Sequence, residues 1–298
     1  MSATVTQSTA ASGNVPWTPA RVRRVIGRAI TYILVSALGV VFLIPLFWLL
    51  SSSLKVGTEV FDQPVKWWPA VPQWNNYPDA WTALPFTRFL LNTLFVTIVP
   101  LMAEVFVSAI VAYGFSRFVF PGRNILFLIM ISTMFLPDVV KLIPTFIIWK
   151  QFNLIDSYDP LVLASLLGGT PLFIFLMRQF FSSIPKEIEE AALIDGANVI
   201  QTFTRVMIPL IRPALLSVSI IGFQGHWNDF LNPLIYLNTQ AKYTMTVGMY
   251  FFTGGTNERP HWEWLMAMST LMIIPILILF IIFQRYFIEG LTSGAVKG

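Results

Sequence analysis

Ser182-Ser183-Ile184-Pro185-Lys186-Glu187-Ile188-Glu189-Glu190-Ala191-Ala192-Leu193-Ile194-Asp195-Gly196-Ala197 is a polar island in an otherwise apolar chain. Ser183 is placed to cap a helix, Pro185 suits its first turn, and Glu187, Glu189 and Glu190 set negative charge at the positive end of its dipole. Ile188, Ala191, Ala192 and Asp195 then share one helical face. Gly196 stops the helix by taking a left-handed conformation. Asn198 or Thr202 caps a second short helix carrying Phe203, Val206 and Met207, which Pro209 and Pro213 end. The expected shape is helix, turn, helix. The small alanines let another backbone come close while Glu190 offers a carboxylate to a basic partner. The plainer alternative is a solvated elbow that only joins its two neighbours.

Those neighbours are membrane spans. A bilayer core about 30 Å thick takes roughly 20 apolar residues of helix, and six stretches approach that length: residues 29–50, 89–115, 124–149, 160–177, 214–237 and 264–283. The third is interrupted by Asp138, Lys141 and two prolines, the fourth by Gly168-Gly169-Thr170-Pro171, and the fifth by Asn228-Asp229. The elbow, residues 178–213, lies between the fourth and fifth spans. The first span is too long for the apolar core of a signal peptide and lacks a small-residue cleavage pattern, so it reads as a retained anchor. Residues 1–28 form an N-terminal tail, Ser/Thr/Ala-rich and expected to be disordered, ahead of a single transmembrane domain over 29–298.

Composition agrees. Of 298 residues, 55% are hydrophobic and only 11% charged, against about 25% charged in soluble domains. The absence of cysteine excludes disulfides, thiolate metal sites and a cysteine nucleophile. The basic residues are scattered between apolar runs, which argues against nucleic acid as a partner. Twelve of the 19 Lys and Arg fall on one side of the six-span arrangement, the side of both termini and the elbow, predicting an N-in, C-in protein of the lipid bilayer. On the outer side, a loop from Ser51 to Arg88 carries Trp67, Trp68, Trp74, Tyr77 and Trp81, suited to an interfacial cap. A second outer loop, Asn238 to Glu263, has turn chemistry at Gly254, Gly255 and Asn257.

Other polar residues lie at membrane depth. Glu104 sits about 15 residues into the second span, where an ionised side chain is costly. It is either a proton-relay acid or a group bonded to a neighbouring helix. Asp138 and Lys141 can pair locally at a kink, or serve a substrate. Trp227, Asn228 and Asp229 are pore or gate candidates, with helix–helix bonding as the alternative. His226 and His261 have no ligand pattern around them, so no metal site is expected. No G-x-x-x-x-G-K-[ST], nucleophile elbow or H-E-x-x-H is present, which points away from an enzyme and from nucleotide binding by this chain. An ion-coupled secondary transporter using Glu104 is the rival reading. It would predict inverted repeats with paired broken helices, which the sequence does not offer. A membrane-embedded enzyme using Glu104, Asp138 or Asp229 is a remoter one.

Glu190-Ala191-Ala192, three residues, Gly196, nine residues and Val206-Met207-Ile208-Pro209 together resemble the EAA loop of bacterial ABC importer permeases. Gln179-Phe180-Phe181, His226-Trp227-Asn228-Asp229-Phe230 and the ending Gly290-Leu291-Thr292-Ser293-Gly294-Ala295-Val296-Lys297-Gly298 resemble the maltose-type, carbohydrate-importing branch. Val206 stands where the pattern more often has isoleucine. The resemblance implies an all-α membrane protein with six transmembrane helices and a cytoplasmic coupling elbow. It implies a sugar, oligosaccharide, polyol or glycerol phosphate as cargo, moved across the cytoplasmic membrane by alternating access. The implied partners are a cytoplasmic ATPase dimer that binds the ATP, a second permease subunit and an extracytoplasmic solute-binding protein. By the same resemblance Glu190, Ala191, Ala192, Asp195, Gly196 and Pro209 make the coupling contact. Gly290, Ser293 and Lys297 belong to a tail reaching the ATPase, and the Gly254-Gly255-Asn257 loop meets the binding protein.

Overall fold

The computed structural model describes the backbone of residues 19–254 and 259–295, and the side chains of residues 23, 26–254 and 259–284. The chain divides after Leu49. The first helix, α1 (Pro19–Ser52), supplies a continuous apolar stretch, Ile26–Ser52, long enough to cross a membrane.

In the second unit every described element is helical. After a 3-10 turn at Gly57–Glu59 come α2 (Asn76–Ala83), α3 (Phe86–Arg117), α4 (Arg123–Ser132) and α5 (Asp138–Gln151). Then follow α6 (Asp159–Leu166), α7 (Pro171–Ser183), α8 (Lys186–Ile194) and α9 (Val199–Leu210). The last four are α10 (Arg212–Trp227), α11 (Leu231–Tyr236), α12 (Met245–Tyr250) and α13 (Trp262–Ala295). Four stretches cross by length and composition alone, and six do if each bent pair counts as one span.

Three spans differ from their expected outlines. The third is two helices: α4 with its trailing 3-10 turn and α5 meet at 101°. Leu136, the residue before Pro137, is extended (ψ 117°), as the proline ring requires of its predecessor. The fourth breaks where the glycines stand. Gly169 takes φ +68°, and a Cβ there would lie 2.5 Å from Ser108 Oγ and 3.1 Å from Ser108 N. Only glycine lets this turn approach α3 so closely. The fifth stops early: α10 ends at Trp227, and Asn228–Phe230 separate it from the short α11.

The helix around which the others of this unit pack is α3, with α6, α7 and α10 against it. Two apolar cores lie along it. One gathers Ala109, Ala112, Phe173, Met177, Phe181, Met207 and Val218. The other gathers Phe86, Phe89, Trp227, Met245, Phe252 and Met268. The end of α3 at Arg117 is called the elbow side below, and the end at Phe86 the loop side.

Candidate functional site

On the elbow side, α7 and α8 are joined by Ile184 and Pro185. Ser183 is not the cap of α8; it is the last residue of α7, and its hydroxyl donates to Phe180 O at 2.8 Å. Pro185 occupies the cap position, without a side-chain bond. Its extended ψ cannot continue α7, so the two-residue joint starts a new helix with Glu187 and Glu189 in its first turn. Gly196 takes φ +85° as expected. The N–H of Ala197 donates to Ala192 O at 3.0 Å and that of Gly196 to Leu193 O at 3.1 Å, closing the helix. Asn198 is the second cap. Its Oδ1 accepts from Gln201 N and the Gln201 side chain accepts from Asn198 N, both at 2.9 Å. Pro209 removes a backbone donor, and the preceding turns, Thr202–Met207, widen into a π-helix. Pro209 does not end this helix; the chain turns at Ile211, by 76°, and Pro213 opens α10.

The acids of α8 divide by direction. Glu189 turns inward: Arg117 Nε lies 3.0 Å from its Oε2, and the Tyr113 hydroxyl donates to its Oε1. The Arg117 side chain is 7% exposed and also donates from Nη2 to Ile184 O at 2.9 Å. One arginine thus holds both the helix and its joint to α7. Glu190 stays exposed, as do Ala191, Asp195 and Gly196, while Ala192 is half-buried. A cleft of about 220 Å³ opens between Glu189, Glu190, Leu193 and the end of α3. Beside these residues Ile194 is 86% and Ile200 73% exposed, with Leu193 and Val199 also exposed. The elbow thus presents branched apolar side chains around small residues, beside the exposed carboxylates of Glu187, Glu190 and Asp195. The apolar half of that patch was readable in principle, since Leu193-Ile194 directly follow the alanine pair.

Halfway along α3, Glu104 meets His226 of α10: Oε2 and Nε2 are 2.9 Å apart. Of the two readings open for Glu104, the bond to a neighbouring helix is the one the geometry contains. No local pattern signals this pair, because the partner lies 122 positions away. Trp227 faces inward, 1% exposed, and its Nε1 donates to Met272 O at 3.0 Å. Asn228 is exposed, and Asp229 Oδ2 accepts from Asn232 Nδ2 at 2.9 Å. Of the three pore candidates, then, Trp227 is a packing residue, and Asn228 and Asp229 mark the break. Asp138 and Lys141 form the local ion pair, 2.7 Å apart, with the Asp138 side chain 95% exposed.

On the loop side, Asp156 ties the α5–α6 turn to residues 236–242. It accepts from Asn238 N and Thr239 N at 2.9 Å, from the Thr239 hydroxyl, and from Lys242 Nζ at 3.0 Å. The Thr239 hydroxyl, then the Thr239 and Asn238 N–H groups, hold its carboxyl well below the usual carboxylate range. Asn92 of α3 donates to Ala241 O and Tyr243 O at 3.0 and 2.9 Å. Gly254 is left-handed at φ +83°. Gly255 and Asn257 lie outside the described residues, as does Lys297. Gly290 and Ser293 fall on the final turns of α13, beyond the described side chains.

An all-helical chain with several stretches long and apolar enough to span a bilayer, and a polar elbow between two of them, has the architecture of a multi-span membrane protein. The family of binding-protein-dependent transport system inner membrane components matches residues 104–293, and this chain belongs to that family. The chain is 30% identical over 269 residues to the diacetylchitobiose uptake system permease protein NgcG of Streptomyces coelicolor, covering 90% of this chain and 89% of the relative. It is 34% identical over 257 residues to the trehalose transport system permease protein SugB of Mycobacterium tuberculosis, covering 86% and 93%. Its fold is shared with a bacterial ABC transporter involved in the import of the acidic polysaccharide alginate, at a TM-score of 0.76 and 24% identity over 92% of this chain and 100% of the other.

Proposed function

We propose that this chain is the permease subunit of an ATP-driven sugar or oligosaccharide importer, with the elbow side in the cytoplasm and both termini inside. The single observation that carries the coupling role is the division of α8. Glu189 is spent on Arg117 and Tyr113, while Glu190, Ala191, Gly196 and the exposed Leu193 and Ile194 are left facing outward. An elbow that only joined two spans would have no reason to hold one acid so firmly and expose four branched apolar side chains beside another. In this reading the exposed face enters a cleft on a cytoplasmic ATPase dimer, and Glu190 meets a basic side chain there. The ATPase binds and hydrolyses ATP, a second permease subunit completes the pathway, and a solute-binding protein delivers cargo on the loop side. The C-terminal residues Gly290, Ser293 and Lys297 reach the ATPase, and the Gly254-Gly255-Asn257 loop touches the binding protein. Asn228 and Asp229 act at the gate.

Sugar is the cargo class because relatives matched over most of their length carry diacetylchitobiose and trehalose in their names. ATP binding closes the ATPase dimer, the elbow follows the moving clefts, and the opening on the loop side widens as the elbow side shuts. The test is Ala191→Arg, which puts a bulky charge into the contact face. It should abolish uptake and strip the ATPase from the purified complex while leaving membrane expression intact. Unchanged ATP-coupled uptake in that variant would show that the elbow is not the contact.

A further inference from the structure

We infer that α3 is the link that carries motion from the elbow to the break in the fifth span, gripped at its elbow end by Arg117 and Tyr113 on Glu189 and halfway along its length by Glu104 on His226. This rests on the importer reading and adds to it the residues that transmit the movement. The direct route along the chain turns sharply. Between the elbow and α10 stands a single residue, Ile211, at a 76° bend. Ile211 is buried in the core that Met207 and Ala214 share with α3 and α7, so the bend itself is packed against α3. At the other end of the elbow the joint is two residues long, and Arg117 Nη2 holds its carbonyl at 2.9 Å. The elbow is therefore fastened to α3 by side chains as well as to the span it continues into by the chain.

Thirteen residues separate Glu104 from Arg117, which is about 20 Å of helix. Described backbone shows no break in α3 between them. α3 meets both neighbours closely at single points. Gly169 sits against Ser108, and a Cβ at Gly222 of α10 would lie 2.5 Å from Leu101 Cδ1. Glu104 then reaches His226, one residue before buried Trp227 and two before Asn228, where α10 ends. Both grips join side chains that are largely out of water: Arg117 is 7% exposed, and Glu104 9%. Glu104 at membrane depth finds no solvent substitute if His226 moves away, and separating Glu189 from Arg117 would leave the largely buried guanidinium without its counter-charge, so each grip holds its two helices together through a displacement. Glu189, Arg117, Tyr113, Glu104 and His226 are positioning residues in this account; none has to touch cargo or nucleotide.

The chain has no cysteine, so Asn228→Cys places one thiol at the break. Its rate of alkylation by a maleimide, read by mass spectrometry of this subunit in the assembled transporter, reports exposure with and without a non-hydrolysable ATP analogue. With both grips intact the rate should change about fivefold or more on adding nucleotide. Glu189→Gln and His226→Leu should each erase that change while the complex stays assembled and still hydrolyses ATP. His226→Gln, which keeps a hydrogen bond to Glu104, should retain it. Where Glu189→Gln fails to assemble, Tyr113→Phe takes its place, with a reduced nucleotide response expected. A full nucleotide response in either grip variant overturns the inference. Absence of any response with both grips intact instead strikes the importer reading beneath it.

Discussion

The elbow side and the loop side are built from different polar chemistry. At the elbow side the junction is mainly side chain to side chain, an arginine and a tyrosine on a glutamate, with one further arginine bond to the Ile184 carbonyl. At the loop side it is largely side chain to backbone. Asn92 holds two carbonyls, Asp156 accepts two N–H groups, and Trp227 donates to Met272 O. Backbone partners lock a loop into one shape, because the groups they hold have no alternative rotamer. Paired side chains fasten one helix to another while leaving each helix intact as a moving piece. The difference makes the elbow side a junction between whole helices and the loop side a platform of locked loops.

The sharpest way to break the comparison is Arg117→Leu, which leaves Glu189 buried without its counter-charge. It should lower stability by about 3–5 kcal/mol, seen as a drop in thermal unfolding temperature of the purified protein. Adding Glu189→Leu should return most of that loss, since no unpaired charge remains. If the single variant melts like the wild type, the elbow is not held by this pair.

Next in size is Gly169→Ala, between the two ends. A methyl at φ +68° and 2.5 Å from Ser108 Oγ should cost about 2 kcal/mol or more. Ser108→Gly should relieve part of it, because the hydroxyl goes while the backbone contact stays.

Trp227→Phe tests the platform. It removes one N–H from a buried site while keeping an aromatic ring, and about 1 kcal/mol of stability should go with it. Transport should continue, since this ring is held for packing. Loss of cargo binding with stability unchanged would return Trp227 to the pathway.

The smallest effect is a pH dependence at Asp156. Its folded-state carboxyl titrates below the ordinary range, so its contribution is fully present above about pH 4 and fades as pH falls below that toward the folded value. Protease access to residues 236–242 should rise in acid, and Asp156→Asn should show reduced acid sensitivity. A wild-type loop equally protected at pH 3 and pH 7 would remove Asp156 from the platform.

Much of this was legible in one dimension, for stated reasons. The outlines of the second and sixth spans followed from length and hydropathy, because a lipid-facing helix must be apolar nearly all round. Gly196 and Asn198 were readable as punctuation because left-handed turns and caps depend on one residue and its near neighbours. Ser183 misled, because Pro185 sets a new helix start whatever hydroxyl precedes it. The elbow's acids could be counted but not sorted. Glu189 and Glu190 are adjacent, and which of them turns inward depends on where Arg117 stands.

The sequence by itself determined that this is a multi-span helical membrane protein of the binding-protein-dependent transport family, with a polar elbow between its fourth and fifth apolar stretches. Those properties reside in composition, period and local motif, all of which survive in an unfolded string. Only the tertiary structure decided that the third span is two helices at a sharp angle, that Trp227 faces the core, and that Glu104 belongs to His226. Each depends on which residues distant in sequence share a few ångströms of space. Burial and pairing across such distances are properties of the packed chain alone.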